Sequence, residues 1–359
     1  MKISEIDPNF APSSFVDLDF VFLDAVQPPF ELDGLPFFKA NNGAFCRIPV
    51  DRLKLFNEGL QALAWNPSGA QIRFRTNATR VALKADLTPY DIMAHIPIYG
   101  ASGFDCYVGT GTAKRFIAST GPTATNTTYC EGLFLNNASR EMREFTINLP
   151  TYNGVRKILI GVDPDAELLP PTPFTIKDKI VFYGSSITQG GCCSRPGNNY
   201  SQMLSRYFDF EPVCLGFSGN AKGELEMAQI ICELDPLVFV MDYDHNAPSD
   251  THLRETHEPF FRYIRERKPK LPVIFMTKPD FDAWPADNAV RRAIVRRTFA
   301  NAVAAGDDRV FYIDGESLFK EDGRDACTVD GCHPNDLGFY RMYRTVRPVM
   351  KQALGLALS

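Results

Sequence analysis

Residues 180–191 read Ile180-Val181-Phe182-Tyr183-Gly184-Ser185-Ser186-Ile187-Thr188-Gln189-Gly190-Gly191. The apolar run shows no alternation, which suits a strand covered on both faces, as in a parallel sheet. The Gly-Ser-Ser that follows lies at the carboxyl end of that strand, where such sheets bind their ligands. Ser185 and Ser186 are two hydroxyls at that end, and either could face a cleft.

The chain beyond this point alternates strand and helix patterns. Strands are expected at 180–183, 212–215, 237–241, 273–276 and 310–313, with helices at about 200–208, 225–234, 251–267, 289–304 and 337–354. That order predicts a doubly wound parallel sheet of about five strands with helices on both faces. In the fourth helix Val290, Ile294, Val295, Phe299, Ala302 and Val303 are assigned to the apolar side, and Arg291, Arg292, Arg296 and Arg297 to a solvated face.

Four loops in this half carry unusual polar residues: Gly184-Ser185-Ser186, Gly216-Phe217-Ser218-Gly219-Asn220, Asp242-Tyr243-Asp244-His245-Asn246 and Asp330-Gly331-Cys332-His333-Pro334. The carboxyl ends of parallel strands face one way, so these loops can converge. Acyl transfer needs what they hold. A serine hydroxyl requires a base, and neutral imidazole suits that task near pH 7. The imidazole requires a carboxylate to fix its tautomer, and Asp330 with His333 can come from one loop. The oxyanion requires donors, which the backbone N–H groups of Ser186 and Gly219 and the side-chain amide of Asn246 can supply. His245 is a loop histidine at the rim and a candidate substrate contact.

Taken together the four blocks resemble those of the SGNH, or GDSL-type, hydrolases: Ser, Gly, Asn and His in order, with Asp three before His. The resemblance implies a flavodoxin-like hydrolase domain in which Ser186 is the nucleophile, His333 the base and Asp330 its partner. It likewise implies Ser186, Gly219 and Asn246 as the oxyanion hole. Two blocks depart from the pattern. The usual Gly-Asp-Ser is Gly184-Ser185-Ser186, and the usual Gly-x-Asn-Asp is represented by Tyr243-Asp244-His245-Asn246-Ala247.

The first half is strand-rich. Residues 71–76 and 81–85 alternate apolar and polar, with Asn77-Ala78-Thr79 short enough for a hairpin turn; 144–149 alternates too and turns at Tyr152-Asn153-Gly154 into 155–160. Many short strands predict an antiparallel, jelly-roll-like β-sandwich. Gly103-Phe104-Asp105-Cys106-Tyr107 within it resembles the Gly-x-Asp-Leu-Tyr signature of the sandwich that precedes some bacterial SGNH esterases. Asp105 and Tyr107 are candidate substrate contacts, beside the simpler reading of an edge-strand cap and a core tyrosine. Leu168-Leu169-Pro170-Pro171-Thr172-Pro173 forbids helix and favours a stiff connector, so the domains are expected at 1–172 and 173–359.

Composition bounds the function. The 359 residues are 45% hydrophobic and 23% charged with a net charge of −5, which offers no nucleic-acid surface. No run is long and apolar enough for a membrane span, and the first residues carry no signal-peptide stretch, so a cytoplasmic location is expected. Nine cysteines without regular spacing favour reduced thiols, and neither they nor the five histidines form a metal pattern. No metal and no cofactor are expected. The reading is a serine esterase acting on a small-molecule or oligosaccharide ester, foremost a carbohydrate O-acetyl esterase. A lipid-directed esterase, lysophospholipase or thioesterase is the alternative, and a sugar-binding protein with a degenerate hydrolase domain the non-enzymatic one. Oligomeric state is not encoded in these patterns.

Overall fold

The computed structural model describes residues 6–7, 18–279 and 285–358; most of the first eight residues, read above for an export signal, lie outside it. Strands β1 (Val21–Asp24), β2 (Glu31–Asp33), β3 (Gln71–Thr76), β4 (Val81–Leu87), β5 (Phe104–Val108), β6 (Arg115–Thr120), β7 (Tyr129–Leu135), β8 (Arg143–Asn148), β9 (Val155–Val162) and β10 (Leu168–Leu169) form the first unit. One antiparallel sheet has the order β1-β9-β4-β7, the other β10-β3-β8-β5-β6 with β2 also on β3. Their inner faces share one core, in which Phe74 and Phe145, paired across strands, stack with centroids 5.1 Å apart. This is the expected sandwich.

The expected hairpin between β3 and β4 is not present. The two strands lie in different sheets, β3 pairing with β8 and β4 with β9 and β7. The short link crosses the sandwich instead, with Ala78 fully buried. Asp163, just past β9, accepts the Thr79 N–H at 2.6 Å and the Arg80 guanidinium at 2.6 Å, and so draws the chain into the second sheet. The link from β8 to β9 crosses in the same way. Alternation sets which face of a strand is buried but not which strand it pairs with.

The second unit is a parallel sheet of β11 (Ile176–Gly184), β12 (Phe210–Gly216), β13 (Val238–Asp242), β14 (Val273–Met276) and β15 (Val310–Ile313). Its order, β12-β11-β13-β14-β15, is the flavodoxin-like one, and the chain reverses direction across the sheet between β12 and β13, on either side of β11. Alternate strand residues serve opposite faces. Val181, Tyr183, Val213, Leu215, Phe239, Met241 and Phe275 pack under helices Leu225–Leu234, Asp250–Arg267 and Pro285–Ala304. Ile180, Phe182, Val238, Val240, Ile274 and Met276 pack under Tyr200–Phe208 and Asp336–Leu358. Two covered faces explain the unbroken apolar run at 180–183. Among the described residues no helix is long and apolar enough to cross a membrane.

Chain order and core membership part in one place. Cys46, Ile48, Leu53, Phe56, Leu60 and Ala64 precede most of the sandwich strands, yet they belong to the core of the parallel sheet. From the same stretch the buried Arg47 guanidinium lies 4.2 Å over the Phe217 ring and donates to the carbonyls of Cys214 and Gly216 at 3.1 and 2.5 Å. The proline-rich connector is held as well: Arg75 donates to the Pro170 carbonyl at 2.7 Å and Arg73 to that of Thr172 at 3.0 Å.

Leu60 is fully buried in that shared core. Leu60→Ala should cost about 2–5 kcal/mol and lower the urea midpoint of the parallel-sheet unit, followed by fluorescence and circular dichroism. A midpoint unchanged within error would remove residues 46–64 from that core.

Candidate active site

Each site residue sits just beyond a strand end or in a loop that folds back to it. Ser186 opens a single helical turn, Ser186–Gln189, directly after β11. Ser185 precedes it as the N-cap, its hydroxyl accepting the Ile187 N–H at 3.2 Å. The structure therefore separates the two serines: Ser185 caps the turn, and the Ser186 Oγ lies 2.9 Å from His333 Nε2. Gly184 has a steric reason, because a Cβ there would come within 2.2 Å of the Thr188 hydroxyl and 2.3 Å of the Asp242 carbonyl.

His333 and Asp330 share a tight loop, closed by the Thr328–Pro334 bridge and by the Val329 N–H donating to the His333 carbonyl at 3.0 Å. Asp330 Oδ1 accepts the backbone N–H groups of Cys332 and His333 at 3.0 and 2.7 Å, while Oδ2 takes His333 Nδ1 at 2.7 Å. One carboxylate thus both closes the loop and holds the ring. Burial pushes the Asp330 carboxyl up, but the backbone and ring N–H groups of His333 more than offset this and hold it below the ordinary range. With Nδ1–H donated to the carboxylate, Nε2 of the neutral ring is left as the acceptor facing Ser186.

Asn246 lies in the turn Asp244–Asn246 after β13. Its Oδ1 accepts the Gly219 N–H at 3.1 Å and its Nδ2 donates to the Phe217 carbonyl at 2.7 Å. These bonds fix the amide between the second and third loops and leave it one further Nδ2 proton to offer. Gly219 has φ +67 and open space around its Cα. A left-handed backbone favours glycine at that point.

His245 stands beside this group, with Nε2 at 3.2 Å from Cys332 Sγ. Burial, followed by the charges of Lys278 and His333, pulls its pKa down to about 3, so the ring stays neutral at working pH. The Cys332 thiol is pushed by burial up to about 11 and stays protonated there. His245 therefore contacts the loop that carries the acid, rather than standing free at the rim.

Asp105 and Tyr107 need a correction. Both are buried and committed elsewhere. Asp105 accepts Asn148 Nδ2 at 2.7 Å, Arg195 Nη1 at 2.7 Å and the Gly197 N–H at 2.9 Å, and the Tyr107 hydroxyl also bonds Arg195. A Cβ at Gly197 would lie 2.5 Å from Asp105 Oδ2, so glycine is what lets the loop close on the carboxylate. The signature residues latch the sandwich to the loop 195–197 and do not line the reacting centre.

Other sandwich residues do reach the centre, and the sequence reading missed them. Gln189 donates to the Thr151 carbonyl at 2.9 Å while its Oε1 accepts the Ser218 N–H at 2.9 Å, joining the sandwich to the second loop. The Tyr152 hydroxyl lies 3.4 Å from the Ser186 carbonyl oxygen. His95 places its ring 5.8 Å from that of His333. Tyr152-Asn153-Gly154 reads as a turn from sequence, and His95 is a lone histidine, so neither carried a signal.

Arg291 is the second correction. It is buried, not solvated: Nη1 donates to the carbonyls of Asp244 and Ala247 at 2.6 and 2.9 Å, and Nε pairs with Asp287 at 2.8 Å. It braces the turn that carries Asn246. Val290 and Val303, placed on the apolar side, are 40% and 49% exposed, so the buried stripe is rotated toward Arg291.

Asp105→Ala would strand Arg195, Asn148 and the Gly197 N–H. Removing one partner of a buried ion pair typically costs about 3–5 kcal/mol, read here as a lowered denaturant midpoint. A loss below about 1 kcal/mol would show that the latch is mere surface decoration.

A family model of GDSL-like lipases and acylhydrolases matches residues 177–351, and a model for the N-terminus of SGNH-hydrolase-type esterases, GxDLY, matches residues 20–168. No curated protein matches the chain. Among solved structures it is similar to one described as a GDSL-like lipase from Bacteroides ovatus, with 25% identity over 94% of this chain and 98% of that one and a TM-score of 0.84. A salicylyl-acyltransferase of a tetracycline biosynthetic pathway is 19% identical over 94% and 98% of the two chains, with a TM-score of 0.74. A family two carbohydrate esterase from Cellvibrio japonicus is 12% identical over 94% and 99%, with a TM-score of 0.60. Both units and the order of their motifs thus agree: residues 177–351 are a domain of the GDSL-like lipase/acylhydrolase family and residues 20–168 the N-terminal domain of SGNH-hydrolase-type esterases, which makes the protein a carboxylic ester hydrolase.

Proposed function

We propose that the protein is a serine esterase that removes small acyl groups, acetyl foremost, from carbohydrate alcohols through an acyl-enzyme on Ser186. The observation that carries this reading is the hydrogen-bonded line from Ser186 Oγ to His333 Nε2 at 2.9 Å and from His333 Nδ1 to Asp330 at 2.7 Å. As Oγ attacks the ester carbonyl, its proton passes to Nε2, and Asp330 stabilises the imidazolium. The oxyanion is received by the Ser186 N–H and the free Nδ2 proton of Asn246. The Gly219 N–H joins them by turning from Asn246 Oδ1 toward the new charge. Collapse breaks the ester C–O bond, and His333 returns the proton to the leaving alcohol. Water then repeats the sequence on the acyl-enzyme with the same base.

Crowding supports a small acyl group. Ser186 is only 4% exposed, and a Cβ on Gly191 would sit 3.0 Å from the Tyr152 hydroxyl and 3.4 Å from His333 Cδ2. The sugar alcohol is supported by the shared fold with an enzyme described as a carbohydrate esterase.

Ser186→Ala should lower hydrolysis of p-nitrophenyl acetate by about 10⁴-fold or more with the fold retained by circular dichroism; turnover near the wild-type rate would sink the nucleophile assignment. Asn246→Ala should lower kcat by about 10²–10³-fold with little change in KM, and a rise in KM alone would move Asn246 to ground-state binding. Across acetyl, butyryl and octanoyl esters kcat/KM should fall, and acetylated oligosaccharides should be deacetylated. Preference for octanoyl esters would favour a lipid-directed enzyme instead.

A further inference from the structure

The thiol of Cys192 is not used by the proposed reaction, yet it lies against the reacting centre. Cys192 follows the nucleophile turn with φ +74, a left-handed conformation that is uncommon for a side-chain-bearing residue. It is buried in a small cluster with Ile96 and Ala101, next to Tyr152. His95, from the sandwich, is exposed and stands over His333 with the two rings tilted by 46°. One ligand atom each of His95, Cys192 and His333 lies within 4.8 Å of the other two.

Imidazole and thiolate are side-chain types that bind zinc. Bonds of about 2.0–2.3 Å to nitrogen and sulfur place tetrahedral ligand atoms roughly 3.3–3.8 Å apart, so modest rotation of the exposed His95 would draw the set together. The arrangement behind His333 already suits a metal. A carboxylate on Nδ1–H, here Asp330 at 2.7 Å, is the usual support of a zinc-binding imidazole, because it presents Nε2 as an oriented donor. The Asp330 carboxylate behind His333 attracts a cation, and a bound cation favours the thiolate.

We propose that His95, Cys192 and His333 form an inhibitory site for Zn²⁺ that spans the sandwich and the hydrolase unit. The role of His333 in inhibition rests on its reading as the base. Binding takes the Nε2 lone pair that would receive the Ser186 proton, so the esterase is switched off while the metal is held. One thiol proton leaves to solvent as the Zn–S bond forms, so binding strengthens as pH rises. This site is not a cofactor site, because its occupant competes with the reaction.

The test uses the full chain, stripped of metal with chelator and then freed of chelator. Isothermal titration with Zn²⁺ should give a 1:1 site that releases about one proton, and Co²⁺ should give a thiolate charge-transfer band. His95→Ala and Cys192→Ser should each weaken binding by at least about tenfold, and only Cys192→Ser should abolish the band. Cys332→Ser should leave both intact. No site in the wild-type chain, equal affinity in the His95→Ala and Cys192→Ser chains, or loss on Cys332→Ser instead would each overturn the assignment. Zn²⁺ should inhibit ester hydrolysis over the same concentration range in which it binds, with chelator restoring the rate; binding without inhibition would overturn the inhibitory role. The binding measurements do not depend on turnover, so failure of Ser186→Ala to abolish activity would count against the esterase mechanism and not against the metal site.

Discussion

The structure depends on how a helix of one turn, Ser186–Gln189, is kept in place. A helix this short cannot stabilise itself, since nucleation costs more than its few hydrogen bonds return. Its position comes from groups far away in the chain. Ser68 donates to the Gln189 carbonyl at 2.6 Å, Gln189 donates to Thr151, and Asn199 donates to the Thr188 carbonyl at 2.9 Å. Below it the Thr188 hydroxyl bonds Asp242 at 2.9 Å. Two of these partners are sandwich-side residues, so the geometry at Ser186 belongs to both units rather than to the parallel sheet alone.

Buried charge around the third loop is arranged to the same end. Burial, and then the charge of Asp244, raise the Asp242 carboxyl well above its ordinary value, so it can sit neutral beneath the turn. Burial lifts Asp244 to about 6, against the Lys278 N–H and the charges of Lys278 and Arg291. Arg291 in turn holds the carbonyls on either side of Asn246. Groups left unpaired in such surroundings would be costly. The network therefore favours one position for the Asn246 amide.

The parts legible in the sequence were those set by local pattern. Helices 200–208 and 225–234 and strands 273–276 and 310–313 have the limits their apolar spacing implies, because a doubly covered parallel sheet and its flanking helices each impose a single period. The order Ser186, Gly219, Asn246 and Asp330–His333 was legible for the same reason, since each follows a strand end or precedes a helix. Pairing was not. The crossing at Asn77-Ala78-Thr79 looks like a hairpin until Asp163 is seen to hold its far end. Arg291 looked solvated because a guanidinium on a helix usually is, and its acceptors are carbonyls some forty residues away.

What the sequence by itself determined is the sheet order's raw material: buried strands, their helices, and a serine, an acid and a histidine at loop positions suited to acyl chemistry. What only the tertiary structure decided is which groups meet. It parted Ser185 from Ser186 by giving one the cap and the other the imidazole. It turned Asp105 and Tyr107 from candidate ligand contacts into a latch on Arg195, and brought His95 and Tyr152 from the sandwich to the reacting centre. The reason is physical. Periodicity reports a residue's own burial, whereas a hydrogen bond or ion pair depends on a partner whose place is set only when the two cores have packed together.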